Sequence, residues 1–271
     1  MAELIRNLKQ DPGIRGLFCV SLKSSRINQA LNPPLKASAL TSEKPVMVEA
    51  SEVWKVYETG ALKVEALRGL TLKIRKGEMM AVMGPSGCGK TTLLNCLSGL
   101  DDVTRGRVTI EGTDLAKMTD DQKSEFRAKR MGFIFQAYNL LPVLTAGENV
   151  ELPLLLGGSP ESEARTAAVD ALKMVGLAEW KSHKPMELSG VQQQRVAIAR
   201  ALVNKPAIVW ADEPTGNLDS ETSKDIISLL KGLNRDHGLT MVLVTHDAGI
   251  SHETDRIVLM RNGAVEKEVI S

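Results

Sequence analysis

Short apolar runs recur along the chain from residue 47 onward. They cover 48–54, 70–74, 79–83, 107–110, 131–135, 207–211, 240–244 and 257–260. Each has strand length, and helical patterns sit between many of them. The runs 207–211 (AIVWA) and 240–244 (TMVLV) have no polar alternation beyond the first threonine. Such runs predict parallel strands covered on both faces. A strand-rich start followed by alternating units predicts an α/β fold, with a mainly parallel core sheet and an antiparallel flap. Neither a solenoid repeat nor a long heptad array interrupts this pattern.

Two helices have readable ends. Ser159-Pro160-Glu161 offers an N-cap, a proline for the first helical position and an acid in the first turn. Ala164, Ala168, Ala171, Leu172 and Val175 then share one face, and Gly176 supplies a stop. The second helix starts at Ser189, with Gln192 at capping-box spacing.

Residues 1–46 break the pattern. They carry Asp11-Pro12-Gly13, Asn32-Pro33-Pro34 and seven basic residues against three acidic ones, without periodicity. The apolar piece 16–22 lacks a clear cleavage pattern and makes a poor secretory signal. The expectation is a flexible N-terminal extension over 1–46, with Met47 as a plausible true start, and one domain over 47–271.

Composition narrows the function. The 271 residues carry a net charge of +1 and only 3% aromatics. Neither an overall positive field nor a base-stacking surface is indicated, so nucleic acid is not an expected partner. Cys19, Cys88 and Cys96 form neither a disulfide framework nor a metal-ligand spacing, which suggests free thiols in a reducing compartment. The longest uncharged run, 131–147, is interrupted by Gln136, Asn139 and Pro142 and falls short of a membrane span.

Gly84-Pro85-Ser86-Gly87-Cys88-Gly89-Lys90-Thr91 fits the phosphate-binding pattern G-x-x-x-x-G-K-[ST]. A strand-like run precedes it and a helical segment, 91–97, comes after it. The glycines let backbone N–H groups converge on phosphate oxygens, and the helix N-terminus adds positive potential. Lys90 is placed for the β- and γ-phosphates and the Thr91 hydroxyl for Mg²⁺, with Thr92 completing the nucleotide-binding set. Cys88 is either a thiol made reactive by the local positive field or a small filler. Cys96 is expected in packing.

Asp212 and Glu213 close the run 207–211. Ligands gather at the carboxyl ends of strands in such sheets. Asp212 is placed to hold Mg²⁺ and Glu213 to take a proton from an attacking water; the plain alternative is a pair of solvated acids. His246 comes just after the run 240–244 and is placed to donate to a γ-phosphate. Gln136 ends the run 131–135, where its amide would meet Mg²⁺ or the water, or merely cap the strand.

In order, the P-loop, Gln136, Leu188-Ser189-Gly190-Val191-Gln192, Asp212-Glu213, Gly216-Asn217-Leu218-Asp219 and His246 resemble the ATP-binding-cassette (ABC) ATPases. The resemblance covers roughly 47–271. It implies a P-loop NTPase of ABC type: a mainly parallel core sheet, an antiparallel β subdomain and an α-helical subdomain. It also implies ATP and Mg²⁺ as cofactors. Tyr57 would stack on adenine. Ser189, Gly190 and Gln192 belong to the signature that closes on the γ-phosphate held by a second ABC subunit, and Asp219 to a loop crossing that interface. Gln136 would couple nucleotide state to a membrane partner. The chain has one set of motifs, so it must pair with another copy or a relative.

Phe133-Ile134-Phe135-Gln136, Asn139-Leu140-Leu141-Pro142 and Glu148-Asn149-Val150-Glu151-Leu152-Pro153-Leu154 look like the lipoprotein-release and macrolide-export branch. This likeness implies an ATPase subunit energising a separate integral membrane permease, in export or mechanotransmission. It would be peripheral, at the cytoplasmic face of the cell membrane. An ATP-driven regulatory cassette that signals to a membrane or cell-division partner without transport is the alternative. One position departs from the family: Val191 stands where a second glycine is usual. Its branched side chain is expected to hold the backbone away from the partner's phosphate, making turnover slower than in Val191→Gly.

Overall fold

The computed structural model describes residues 44–270 apart from 61, 248, 250 and 251. Most of the expected N-terminal extension, residues 1–43, therefore lies outside the described residues. The first strand begins at Val46, opposite Arg75. The Lys76 N–H donates to the Pro45 carbonyl at 2.8 Å, just ahead of it.

Two sheets form the frame. β1 (Val46–Thr59) and β2 (Leu62–Arg75) make a long antiparallel hairpin. Joined by β4 (Arg105–Ile110) and β5 (Thr113–Asp114), they give the order β2-β1-β4-β5. Along β2, Leu70, Leu72 and Ile74 are buried while Thr71 and Lys73 are exposed, the period-2 signature of a half-covered strand. The second sheet has the order β10-β9-β3-β8-β7-β6. Its parallel strands are β3 (Met79–Met83), β6 (Met131–Phe135), β7 (Ile208–Asp212), β8 (Thr240–Val244) and β9 (Arg256–Arg261). β10 (Ala264–Ile270) returns antiparallel at the edge.

The continuous apolar runs are apolar because both faces are covered. Val209, Ala211, Met241 and Leu243 join a core beneath the helices. Ile208, Trp210, Val242 and Val244, one residue out of phase, join a second core under the antiparallel sheet. That second core includes Val48, Leu72 and Leu93. Fully burying a side chain the size of Val or Leu stabilises by roughly 1.5–3 kcal/mol, so alternating residues of the same strand hold both layers. The helices are α1 (Lys90–Ser98), α2 (Asp120–Arg130), α3 (Ala146–Leu156), α4 (Glu161–Met174), α5 (Gly190–Leu202) and α6 (Ser220–His237). α3, α4 and α5 pack together as a helical layer. Among the described residues no helix is long and apolar enough to cross a membrane.

Some expectations need correction. α4 starts at Glu161 with Pro160 at the N-cap, and no side chain caps it. The Ser159 N–H instead serves the turn before, donating to the Leu154 carbonyl at 3.0 Å. β7 runs from Ile208 rather than Ala207 and takes in Asp212, which lies opposite Phe135 and Val244. The Gly176 stop is present: its φ is +73°, and Leu177 N–H closes back on the Leu172 carbonyl at 2.8 Å.

Candidate nucleotide-binding site

Register alone brings four strand ends together. Val82 pairs with Val244, Val244 with Asp212, and Asp212 with Phe135. The residues just beyond them therefore share one edge of the sheet: the loop 84–89, His246, Glu213 and Gln136. α1 starts at that edge. Its N-cap is Gly89, φ +102°, and no side chain caps it. The first-turn N–H groups are left for an anion. Ser86 is exposed, as are Pro85 and Gly87, so the cradle opens outward.

Lys90 is buried under this loop. Its Nζ donates to the Gly84 carbonyl at 2.9 Å and the Pro85 carbonyl at 3.1 Å. The Thr91 hydroxyl donates to Asp212 Oδ1 at 3.3 Å, tying the cradle to the end of β7. Cys88 is buried with its sulfur turned toward Gly84, the filler role. Burial pushes the Cys96 thiol up to about 12, and its side chain sits in the core as expected.

Burial raises the Asp212 carboxyl above the usual range. The Glu213 charge adds to the effect, while the Thr91 hydrogen bond and the Lys90 charge oppose it. A folded chain that holds a proton more tightly than the unfolded chain loses stability as pH rises from the ordinary carboxylate pKa through the raised one. Asp212→Asn is therefore expected to raise the melting temperature of the nucleotide-free protein at neutral pH. Scanning calorimetry across the acidic range checks this; a lower melting temperature at neutral pH would count against it. The set suits a hard cation, because a desolvated carboxylate and a hydroxyl oxygen stand 3.3 Å apart.

Glu213 has φ +48°, a conformation that costs a non-glycine residue roughly 1–2 kcal/mol. The chain holds it there by Glu213 N–H to the Val244 carbonyl at 2.9 Å and by Gly216 N–H to the Glu213 carbonyl at 3.0 Å. Such strain is typical of functional positions. Glu213 Oε1 lies 3.3 Å from His246 Nδ1. Gln136 Nε2 donates to Asn217 Oδ1 at 3.4 Å, and Asn217 Nδ2 returns a bond to the Gln136 carbonyl at 2.9 Å. Gln136 thus reaches the segment after Glu213.

The structure does not bring every candidate to this edge. Ser189 caps α5: its Oγ accepts from Gln192 N–H at 3.4 Å, and Gln192 Oε1 accepts from Ser189 N–H at 2.9 Å. Gly190 sits beside Tyr138 and Leu218 instead of beside the P-loop. Asp219 caps α6, accepting from Glu221 N–H and Thr222 N–H, each at 3.0 Å. Those bonds, chiefly with Thr222, hold its carboxyl below the usual range. Val191 packs its side chain against the helical core. Val191→Gly would therefore lose about 1–2 kcal/mol of stability, from burial and helix propensity, whatever it gains in backbone approach. Thermal melting beside a turnover assay separates the two effects.

Sequence reasoning missed Arg200. It is buried on α5 and donates to the Tyr138 carbonyl at 2.8 Å and to the Asn139 carbonyl. Tyr138 and Asn139 both have positive φ, 60° and 52°. Arg200 therefore fastens the irregular turn after Gln136, and burial pulls its own pKa down to about 10. The readable signal was an arginine four residues after Val196, on the buried face of the helix.

Residues 67–216 match the ABC transporter family. An ABC transporter ATP-binding protein of Methanocaldococcus jannaschii is 46% identical over 226 residues, 82% of this chain and 96% of that protein. A solved dimer of an ATP-binding cassette in a post-hydrolysis state, bound to ADP and Pi, superposes with a TM-score of 0.76 at 45% identity; the match covers 83% of this chain and 98% of that one. The ATP-binding protein of the lipoprotein-releasing system of Legionella pneumophila is 43% identical over 220 residues, 81% of this chain and 97% of that protein. A macrolide export ATP-binding/permease protein of Syntrophobacter fumaroxidans is 45% identical over 224 residues, 82% of this chain but 31% of that longer protein. With the P-loop, the strand-end acids and the capped signature helix in one chain, this protein belongs to the ABC transporter family.

Proposed function

We propose that this chain hydrolyses ATP as one half of a cassette dimer and thereby drives a separate integral membrane permease. The observation that carries this reading is the shared strand edge, where an uncapped helix N-terminus, Lys90, Asp212, Glu213 and His246 converge. The nucleotide's phosphates would lie along 84–92, with Lys90 exchanging its two loop carbonyls for phosphate oxygens. Mg²⁺, held by Thr91, Asp212 and Gln136, would neutralise phosphate charge. Glu213 accepts a proton from the water that attacks the γ-phosphate in line. His246, whose Nδ1 lies 3.3 Å from Glu213 Oε1, would hydrogen-bond the γ-phosphate and help to orient the attacking water.

The signature completes the site from outside. Ser189 and Gly190 sit at an α5 N-terminus whose N–H groups suit an anion, and they do not face their own P-loop. They would meet the γ-phosphate of a second copy, with Asp219 at the boundary between copies and Gln136 relaying nucleotide state to the membrane subunit. A relative fuses cassette and permease in one name, and another is named for lipoprotein release. Export or force transmission at the cytoplasmic face of the membrane is the fitting role.

The test is native purification from detergent-solubilised membranes. An integral membrane protein recovered in fixed ratio, whose addition raises ATP turnover, is the expected result. Full-rate hydrolysis by a persistent monomer would overturn the dimer, and no membrane partner in any fraction would overturn the transport role.

A further inference from the structure

Among the described residues Tyr57 is one of the few large hydrophobic side chains left open, at 39% exposure, and it is held on several sides. Its hydroxyl donates to Asp101 Oδ2 at 2.8 Å. The other oxygen of the same carboxylate accepts from Lys55 Nζ at 2.5 Å. Lys55 Nζ also donates to the Asp102 carbonyl at 2.7 Å and lies over the Tyr57 ring, 4.8 Å from its centroid. Lysine, ring and carboxylate close a triangle, with the lysine side chain 11% exposed beneath it. Asp101 is itself fixed: its N–H donates to the Asn95 carbonyl of α1 at 3.1 Å. Through Asp101 the ring is thereby tied to the helix that begins at the phosphate cradle.

We infer that Lys55 and Asp101 are positioning residues that lock the Tyr57 ring, in register with the P-loop, as a rigid platform for the nucleotide base. This deepens the ATP-binding reading above and rests on it. A base stacks well on any aromatic face, but a free tyrosine loses rotamer freedom when it does so. Here that freedom is already gone. Lys55 occupies one face by a cation–π contact and leaves the opposite face for the base. Burial, then the Asp101 bond, pushes the phenol up to about 12, so the hydroxyl stays a donor throughout the physiological range.

The experiment uses the full-length chain and three ligands: ATP, GTP and inorganic tripolyphosphate, which has no base. Asp101→Asn keeps the size of the side chain and removes its charge. It is expected to weaken ATP and GTP alike by about 5–10-fold, because stacking does not read base identity. Tripolyphosphate affinity should stay unchanged. The KM for ATP should rise by the same factor with kcat preserved. Lys55→Met, an independent variant, should act in the same direction. In a Tyr57→Phe background Asp101→Asn should add less than about 2-fold, since both changes cut one bond. Full additivity with Tyr57→Phe, or an equal loss of tripolyphosphate affinity, would overturn the inference. Lys90→Ala separates the two levels. If that variant keeps ATP and tripolyphosphate affinity, the P-loop reading itself fails. If it loses both while Asp101→Asn and Lys55→Met bind ATP like the unaltered chain, only the platform fails.

Discussion

Glu213→Gln is expected to cut ATP turnover by about 10²–10⁴-fold, the usual contribution of a positioned general base, while leaving ATP affinity within a factor of about 3, which is less than 1 kcal/mol. The substitution keeps the size of the side chain and its ability to hydrogen-bond His246, 3.3 Å away. It removes the one property the reaction needs, an oxygen that can take up a proton. In the proposed site nucleotide affinity would be set elsewhere, by the loop 84–89, by Lys90 now held on two of its carbonyls, and by the Thr91–Asp212 pair. Charge at the strand end also falls, which relieves the Asp212 carboxyl of a like-charged neighbour. A bound but uncleaved nucleotide should keep two copies clasped, so light scattering should find twice the monomer mass in ATP and Mg²⁺. Steady-state turnover within 3-fold of the unaltered chain would remove Glu213 from the role.

Gly84→Ala and Gly87→Ala are expected to differ sharply although both lie in the same loop. At Gly84 the φ is +152°, and a methyl group would sit 2.3 Å from the Met260 carbonyl oxygen and 2.7 Å from the Cys88 sulfur. The first neighbour is backbone of β9, so nothing flexible can give way. The loop must move, and phosphate binding should fall by a hundredfold or more, roughly the loss of two charge-assisted hydrogen bonds. At Gly87 the φ is +76° and a methyl group meets nothing within 4 Å. Only the left-handed backbone is penalised there, by about 1–2 kcal/mol. Melting temperature and ATP affinity for the pair decide the matter. Equal behaviour of the two variants would show that backbone conformation alone, and not the approach of β9, governs the cradle.

The parts of this molecule that could be read in advance are those where chemistry or burial acts on neighbouring residues. The phosphate loop is contiguous because one short turn must aim several N–H groups at one anion. β3, β7 and β8 announce themselves because burial on both faces leaves no room for polar residues. α2 stayed hidden because its buried residues are Lys123 and Arg127, which reach the Asp102 side chain and the Gly99 carbonyl. No apolar stripe marks such a helix, and only the Thr119–Gln122 capping box does. β10 has three consecutive charged residues, Glu266-Lys267-Glu268, at its centre, so no apolar run or clean alternation marks it as a strand. The direct bonds between distant residues were not legible, although Thr91 and Asp212 were both expected at one cation. Thr91 and Asp212 are 121 positions apart, and Tyr57 and Asp101 are 44 apart. Arg200 could be placed on the buried face of its helix, but its partners could not be read, because main-chain oxygens carry no sequence signature.

The two carbonyls that Lys90 grips give the loop its own placeholder. A newly made chain can settle its most demanding turn before any fuel arrives, since the amine is already satisfied. In the proposed cycle the same ammonium would return to the same two oxygens once spent nucleotide had left, so the receptacle would be reset without having to collapse and be rebuilt.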